Sequence, residues 1–375
     1  MRSGLISHKE LPVVSKTYCD RPWHELHIEE DGNITPCCVM PSNRFPMGNG
    51  LKKYMNGPEL ALLKKQLLNG ERPESCQACW KAEDSGMITH RQVESPFPSK
   101  TISHIHLRVS NVCNFKCRMC NNNFSSTWEI ENKKHNYFIK SYGPIKDAVA
   151  SDPGLLPFIG KLIKLRQLKQ LNMSGGEPLL SGANIKLLTY LIDNKLTDLS
   201  IAYSTNLSNL NYKNFDLLNA WSKFTKVRLD VSCDGWGDQN EYGRTGFIRK
   251  DFIKNFKKAK KYIHGVNCVV NMYSVWTLPE LYKICKLFNV PVLFSPCFLP
   301  EYLNPQRLPP EEKHKLRELY EGIPELEYVY KNFIAKDLTP IMDKFISYNL
   351  MLDKHRGTDL FKTFPMYKKY WTNAT

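Results

Sequence analysis

The stretch HIHLRVSNVCNFKCRMC, residues 104–120, joins a strand to a cluster of thiols. Ile105, Leu107 and Val109 alternate with polar residues, the period of a strand with one face buried. Cys113, Cys117 and Cys120 follow, separated by three residues and then by two. A structural zinc site wants four ligands, and each iron of a [4Fe–4S] cubane needs an outer ligand. Three thiols on one short loop hold three corners of a cubane and leave the last open for a substrate or cofactor. Phe115 and Met119 are placed to shield such a group. Read from the residues alone, the alternative is a zinc site completed by His104, His106 or His135.

From this first strand the alternation runs on. LKQLNM (168–173), DLSIAYS (198–204), KVRLDVS (226–232), VNCVVNM (266–272) and VPVLFSP (290–296) read as strands. Helical patterns lie between them: 125–140, GLLPFIGKLIKLRQ (154–167), GANIKLLTYLIDN (182–194), NFDLLNAWSKF (214–224), 249–264 and LPELYKICKLF (278–288). Such alternation implies parallel β/α units, whose reactive groups sit on loops at the C-terminal strand ends. The unusual residues fall on those loops. The cysteine triplet follows the first strand, SGGEP (174–178) the second, Thr205 and Asn206 the third, and SCDG (232–235) the fourth, while Asn271 and Pro296 end the fifth and sixth. Taken alone, GGEP is also an ordinary strand-to-helix turn with Pro178 opening the helix.

Cys-x3-Cys-x2-Cys after the first strand, with GGEP after the second, resembles the paired signatures of the radical S-adenosylmethionine (SAM) superfamily, over residues 101–300. The resemblance implies an α/β fold, a partial (β/α)6 TIM-like barrel. It implies that Cys113, Cys117 and Cys120 hold three irons of a [4Fe–4S] cluster, with SAM chelating the remaining one. It further implies that Gly175, Gly176 and Glu177 contact the methionyl amino group and that Thr205 and Asn206 line the same pocket. Ser232 and Arg244 match the positions that hold the ribose and the carboxylate. Read as an ordinary surface residue, Arg244 pairs with Glu241 instead. Members most often have an aromatic residue before the third cysteine; here Met119 offers a soft side chain that packs against sulfur.

A second set of thiols precedes the barrel. Cys19, Cys37, Cys76 and Cys79 suit a closed four-coordinate site, with Cys38 an alternative to Cys37, and with zinc or iron–sulfur as occupant. A hairpin at Gly32 would bring Cys37 toward Cys19. The set resembles the auxiliary-cluster domains called SPASM or, in the shorter form, Twitch, although those commonly follow the barrel. That resemblance implies a second, auxiliary [4Fe–4S] cluster, fully ligated and therefore suited to relaying electrons. Cys233, Cys268, Cys285 and Cys297 read as small buried apolar residues. Cys233 and Cys297, at strand ends, read alternatively as substrate-binding or hydrogen-donating thiols.

These signals divide the chain into a small Cys-rich N-terminal domain (1–100), a barrel (101–300) and a helical C-terminal extension (301–375). PELALLKKQLLNG (58–70) is the one clear helix of the first part, and ESPFPSK (94–100) reads as its linker to the second. No apolar stretch approaches the ~18 residues that span a bilayer. The opening MRSGLISHKELPVV lacks a signal-peptide core, so twelve cysteines point to thiols in a reducing cytoplasm rather than to disulfides. The formal charge of +15 raises the question of an acidic partner. The most basic segment, 249–264, nevertheless puts Phe252, Ile253, Phe256, Ala259 and Ile263 on one helical stripe, with its lysines facing water. The expected function is radical SAM chemistry: an external one-electron donor such as flavodoxin or ferredoxin, a 5′-deoxyadenosyl radical, and hydrogen abstraction from a peptide or protein. The alternatives are radical SAM modification of a nucleotide or RNA, motivated by the charge, and a non-enzymatic zinc-stabilised nucleic-acid-binding protein.

Overall fold

The computed structural model describes residues 16–40, 50–84, 89–93, 101–137 and 147–371. The opening segment 1–14, the linker 94–100 and the end of the first barrel helix, 138–140, lie outside these residues. One sheet organises the chain. Its strands are β1 (Glu25–Ile28), β2 (Ile34–Thr35), β3 (His104–Ser110), β4 (Gln170–Gly175), β5 (Ser200–Thr205), β6 (Lys226–Ser232), β7 (Ile263–Val270) and β8 (Val292–Pro296). They lie in the order β8-β7-β6-β5-β4-β3-β1-β2. Every neighbouring pair is parallel except the β1–β2 hairpin.

Strands β3 to β8 stand side by side in chain order. Right-handed crossovers then return every helix to the same face, which is the winding of a barrel and not of a doubly wound sheet. The sheet stays open, with β8 and β2 as its edges. Ile105, Leu107, Val109, Leu171, Met173, Ile201, Tyr203, Leu229, Val231, Val266 and Val270 fill the face that joins the main core. The alternate residues make the other face polar. Register sets His27, His106, Asn172, Ala202 and Arg228 in one row across it.

The sequence reading missed β1. Leu26 and Ile28 alternate with Glu25 and His27 for only four residues, too short a run to register as a strand. The consequence is large, because the Cys-rich region extends the barrel's own sheet by pairing Glu25–Ile28 with His104–Leu107. The basic helix is also shorter than its stripe suggests. It ends at Ala259, and Ile263 opens β7. Phe252, Phe256 and Ala259 are buried, while Lys250, Lys254, Lys257 and Lys258 are exposed, so the lysines form a solvated outer face. In the 214–224 stretch the helix runs only Leu217–Trp221, because the Asp216 side chain accepts the amides of Leu218 and Asn219 and caps it late. After β8 the chain is helical, chiefly Pro310–Tyr320 and Met342–Arg356. No helix among the described residues is long and apolar enough to cross a membrane.

Candidate functional site

The cysteine loop leaves the C-terminal end of β3 and is fixed on several sides. Ser125 caps the helix Ser126–His135 by accepting the Trp128 amide, and its hydroxyl donates to Phe115 O at 2.7 Å. The Ser126 hydroxyl accepts the Cys113 amide at 3.2 Å, and the fully buried Trp128 indole donates to Cys117 O at 3.0 Å. Phe115 is buried against Phe247. The three thiols share one electrostatic neighbourhood. Burial pushes Cys113 up, and the charges of Cys117, Glu177 and Cys120 add to that push. Burial likewise raises Cys117 and takes Cys120 up to about 12, against the pull of Arg244. The histidines weighed as zinc ligands have other engagements: His104 with Ser103, His106 with Ser174, and His135 stacked on His355 at 3.9 Å.

Strand β4 ends against the same loop. The Gly176 amide donates to Ser110 O (2.8 Å) and the Glu177 amide to Val112 O (2.6 Å). No side chain fits here: a Cβ on Gly175 would lie 2.3 Å from Ser110 O, and one on Gly176 would lie 2.2 Å from Val112 O. Gly175 also has φ +121°, a conformation open to glycine. Glu177 is buried and turns back to β5. It accepts the Thr205 hydroxyl (2.6 Å), the Asn206 amide (2.6 Å) and the Leu179 amide (3.1 Å). Burial lifts its carboxyl to about 7, although those three donors pull the other way. Asn206 in turn donates to Asn114 Oδ1 in the cysteine loop at 3.1 Å. The structure therefore sets the loop of Cys113, Cys117 and Cys120 against Gly175, Gly176, Glu177, Thr205 and Asn206, although among the described residues no three His, Cys, Asp or Glu side chains converge closely enough to hold a single metal ion.

Ser232 ends β6 beside Asn267. The Arg244 side chain, 11% exposed, bonds Asp234 at 2.7 Å, whereas Glu241 accepts the Arg249 amide. The Arg244 Nε has no hydrogen-bond partner among the described residues. Asp234 was passed over in the sequence, although it lies in the SCDG turn at a strand end, where a carboxylate is a signal. Its other oxygen accepts the Val269 amide at 2.9 Å, so it ties the ends of β6 and β7 and aims Arg244. Asn271 is likewise buried, with Tyr273 and Ser274 amides on its side-chain oxygen. Cys233, Cys268 and Cys297 are buried, their thiols bonded to backbone carbonyls.

In the N-terminal region the β1–β2 hairpin turns at Gly32, φ +83°. Burial raises Cys19 to about 12 and Cys76 to about 11, and the Cys76 charge adds to the rise of Cys19. Cys76 and Cys79 are neighbours at the start of the helix Gln77–Asp84. Cys37 packs on the core beside Cys38, and Arg21 reaches Cys38 Sγ at 3.9 Å. The polar sheet face continues from here. Arg108 pairs with Glu29, lies 3.4 Å from Glu30 and covers the Phe124 ring at 4.1 Å.

One titration on this face is testable. Burial, then the charges of His27 and Arg108, lower His106 from 6.5 to about 3. The unfolded imidazole accepts a proton near 6.5 that the folded one refuses. Stability is therefore expected to fall as pH drops below 6.5, by up to about 1.4 kcal/mol per pH unit for this group. Urea unfolding at pH 7 and pH 5 checks it: His106→Gln should lose less stability on acidification than the parent, and an equal loss would discount His106.

A cysteine loop thus sits at the C-terminal end of β3, in a singly wound β/α sheet, braced by a glycine pair on the neighbouring β4. Residues 107–277 match the radical SAM superfamily, and residues 19–80 match the SPASM iron–sulfur cluster-binding domain. The chain carries a radical SAM domain, and a SPASM iron–sulfur cluster-binding domain precedes it in the sequence. Radical SAM domains bind SAM and a [4Fe–4S] cluster, and SPASM domains bind auxiliary clusters. No curated protein sequence matches the chain. Similar solved structures include three of SuiB from Streptococcus suis. The one bound to the precursor peptide SuiA is 13% identical, covers 83% of this chain and 65% of its own, and has a TM-score of 0.39. The one bound to S-adenosylmethionine is 14% identical, with 82% and 62% covered and a TM-score of 0.40. A third structure of SuiB is 13% identical, with 88% and 72% covered and a TM-score of 0.39. The chain thus spans less than two thirds of the first two.

Proposed function

We propose that this protein cleaves SAM reductively at a [4Fe–4S] cluster held by Cys113, Cys117 and Cys120, and directs the resulting radical at a peptide or protein. The observation that carries the reading is the placement of three thiols on one loop, directly against the Gly175–Glu177 turn. The residues fit the group. Burial raises all three thiols, so they need a cationic partner to become thiolates, which iron supplies. The buried Arg244 Nε has no acceptor among the described residues, which suits it to the SAM carboxylate. When bound and reduced by an external one-electron donor such as flavodoxin or ferredoxin, the cluster supplies the electron that breaks a SAM carbon–sulfur bond homolytically, giving 5′-deoxyadenosyl radical and methionine.

The chain's own residues do the positioning. Gly175 and Gly176 bring backbone to the cluster edge, and Glu177, Thr205 and Asn206 form the hydrogen-bonded wall that would face the methionyl amine. Ser232 would hold the ribose, and Asp234 orients Arg244. Cys19, Cys37, Cys76 and Cys79 would hold the auxiliary cluster. The peptide assignment rests on the pairing of a radical SAM barrel with an auxiliary-cluster domain, a pairing frequent among enzymes that modify ribosomally made peptides.

The test is anaerobic reconstitution, then SAM and a strong reductant, with 5′-deoxyadenosine as the readout. About eight irons per chain, two cubanes, and 5′-deoxyadenosine formation are expected. Zinc without iron, and no product, would overturn the proposal. Binding to RNA that weakens steeply with salt would favour the nucleotide substrate over the peptide.

A further inference from the structure

Arg118 stands between the second and third thiols of the loop, yet its side chain is fully buried and points to the C-terminal region. All its donors have acceptors. Nε donates to Tyr242 O (3.1 Å), Nη1 to Asn349 O (3.4 Å) and Asn349 Oδ1 (2.9 Å), and Nη2 to Asp353 Oδ1 (2.5 Å) and Thr358 Oγ1 (2.7 Å). The guanidinium lies 3.6 Å from the Tyr242 ring centroid, and Tyr242 itself donates to Asp353 Oδ2 at 3.0 Å. A second arginine comes from the other direction. Arg356, its side chain fully buried, forks onto Glu131 (2.6 and 3.1 Å) and donates to Lys116 O at 2.8 Å.

These contacts pin the residues on both sides of Cys117. The Lys116 amide donates to Thr245 O (2.8 Å) and its carbonyl is held by Arg356. The Arg118 amide donates to Gly243 O (2.7 Å) and its carbonyl accepts the Tyr348 hydroxyl (2.8 Å). Residues 243–245 thus grip the loop from one side, and the helix Met342–Arg356 grips it from the other. Arg244, the free donor of the proposed SAM site, belongs to the first of these grips. Buried, fully paired charges are poor sources of stability but good devices for fixing register.

We propose that the helix Met342–Arg356 is a clamp that sets the cysteine loop for SAM cleavage, with Arg118 and Arg356 as its positioning residues. The C-terminal extension is then part of the cluster site. This rests on the radical SAM reading above.

The test compares the full-length parent with Asp353→Asn, Arg356→Lys and the milder Tyr348→Phe. Three readouts are taken: amide hydrogen exchange before reconstitution, iron per chain after it, and the electron paramagnetic resonance signal of reduced protein with and without SAM. In Asp353→Asn the amides of 113–120 should exchange at least about tenfold faster, with those of β4 to β6 unchanged. Iron should drop from about eight toward about four per chain as the auxiliary cluster alone survives. The change that SAM makes in the spectrum should disappear. Arg356→Lys, which keeps the charge but only one nitrogen and loses the planar fork, should fall between it and the parent. Parent-like exchange and a parent-like response to SAM in Asp353→Asn would overturn the clamp, as would exchange that rises equally in every strand. If Asp353→Asn does not fold, Tyr348→Phe decides by the same criteria. A parent chain without iron or a SAM response would instead sink the radical SAM reading, and loop exchange would still judge the clamp.

Discussion

Replacing Cys117 with alanine is expected to reduce 5′-deoxyadenosine formation to background. Of the loop's three thiols Cys117 is the most buried, at 8% exposure, and its carbonyl is fixed by the Trp128 indole. On the proposed assignment the substitution would remove one of three protein ligands from a cluster whose fourth corner is left for SAM. Among the described residues the neighbours of Cys117 in the loop offer no replacement thiolate: Arg118 and Lys116 on either side are cationic and engaged elsewhere. Cys79→Ala is the matched control. It lies in the N-terminal set, so it should lose auxiliary iron while 5′-deoxyadenosine formation stays within about tenfold, a change of about 1.4 kcal/mol in the barrier. Product by chromatography and iron per chain decide both. Undiminished cleavage by Cys117→Ala, or equal collapse in Cys79→Ala, would move the reaction away from the loop.

Gly176→Ala should show the second largest effect, for a steric reason. The added methyl would sit 2.2 Å from Val112 O and 2.6 Å from its carbonyl carbon, both backbone atoms that cannot rotate aside. Overpacking of this kind costs about 1–3 kcal/mol. The strain falls on Val112, the residue before Cys113, so the loop has to shift and the triplet's cluster should be lost with the stability. Gly322→Ala is the comparison. Gly322 has φ +77° but nothing within 4 Å of an added Cβ. It should cost about 1 kcal/mol through backbone strain alone and leave iron content untouched. Denaturant unfolding with iron analysis checks the pair. A Gly176→Ala protein with parental stability and parental iron would show that the glycine pair is not what seats the loop.

The local signals carried far. Period-two runs located β3 to β8, because a strand buried on one face must alternate whatever surrounds it. The spacing of Cys113, Cys117 and Cys120 and the GGEP turn are properties of contiguous chain, so the cysteine loop and the turn that braces it were legible before any fold was known. Strand β1 was not, since four residues of ELHI are too few to establish a period.

The rest depended on partners far apart in sequence. Glu177 meets Thr205 and Asn206 only because β4 and β5 are neighbours in the sheet. Arg244 pairs with Asp234 rather than with Glu241, which is nearer in sequence, since the Val269 amide fixes Asp234 in the buried turn after β6. Nothing local to Arg118 marks it out in a chain of net charge +15, because its partner Asp353 lies 235 residues away. Sequence alone determined the six alternating strands β3 to β8 and the spacing of the loop thiols, because those follow from side-chain period and backbone spacing. Tertiary structure alone decided which charges are buried together, because desolvation and pairing are set by what packs against a residue in space.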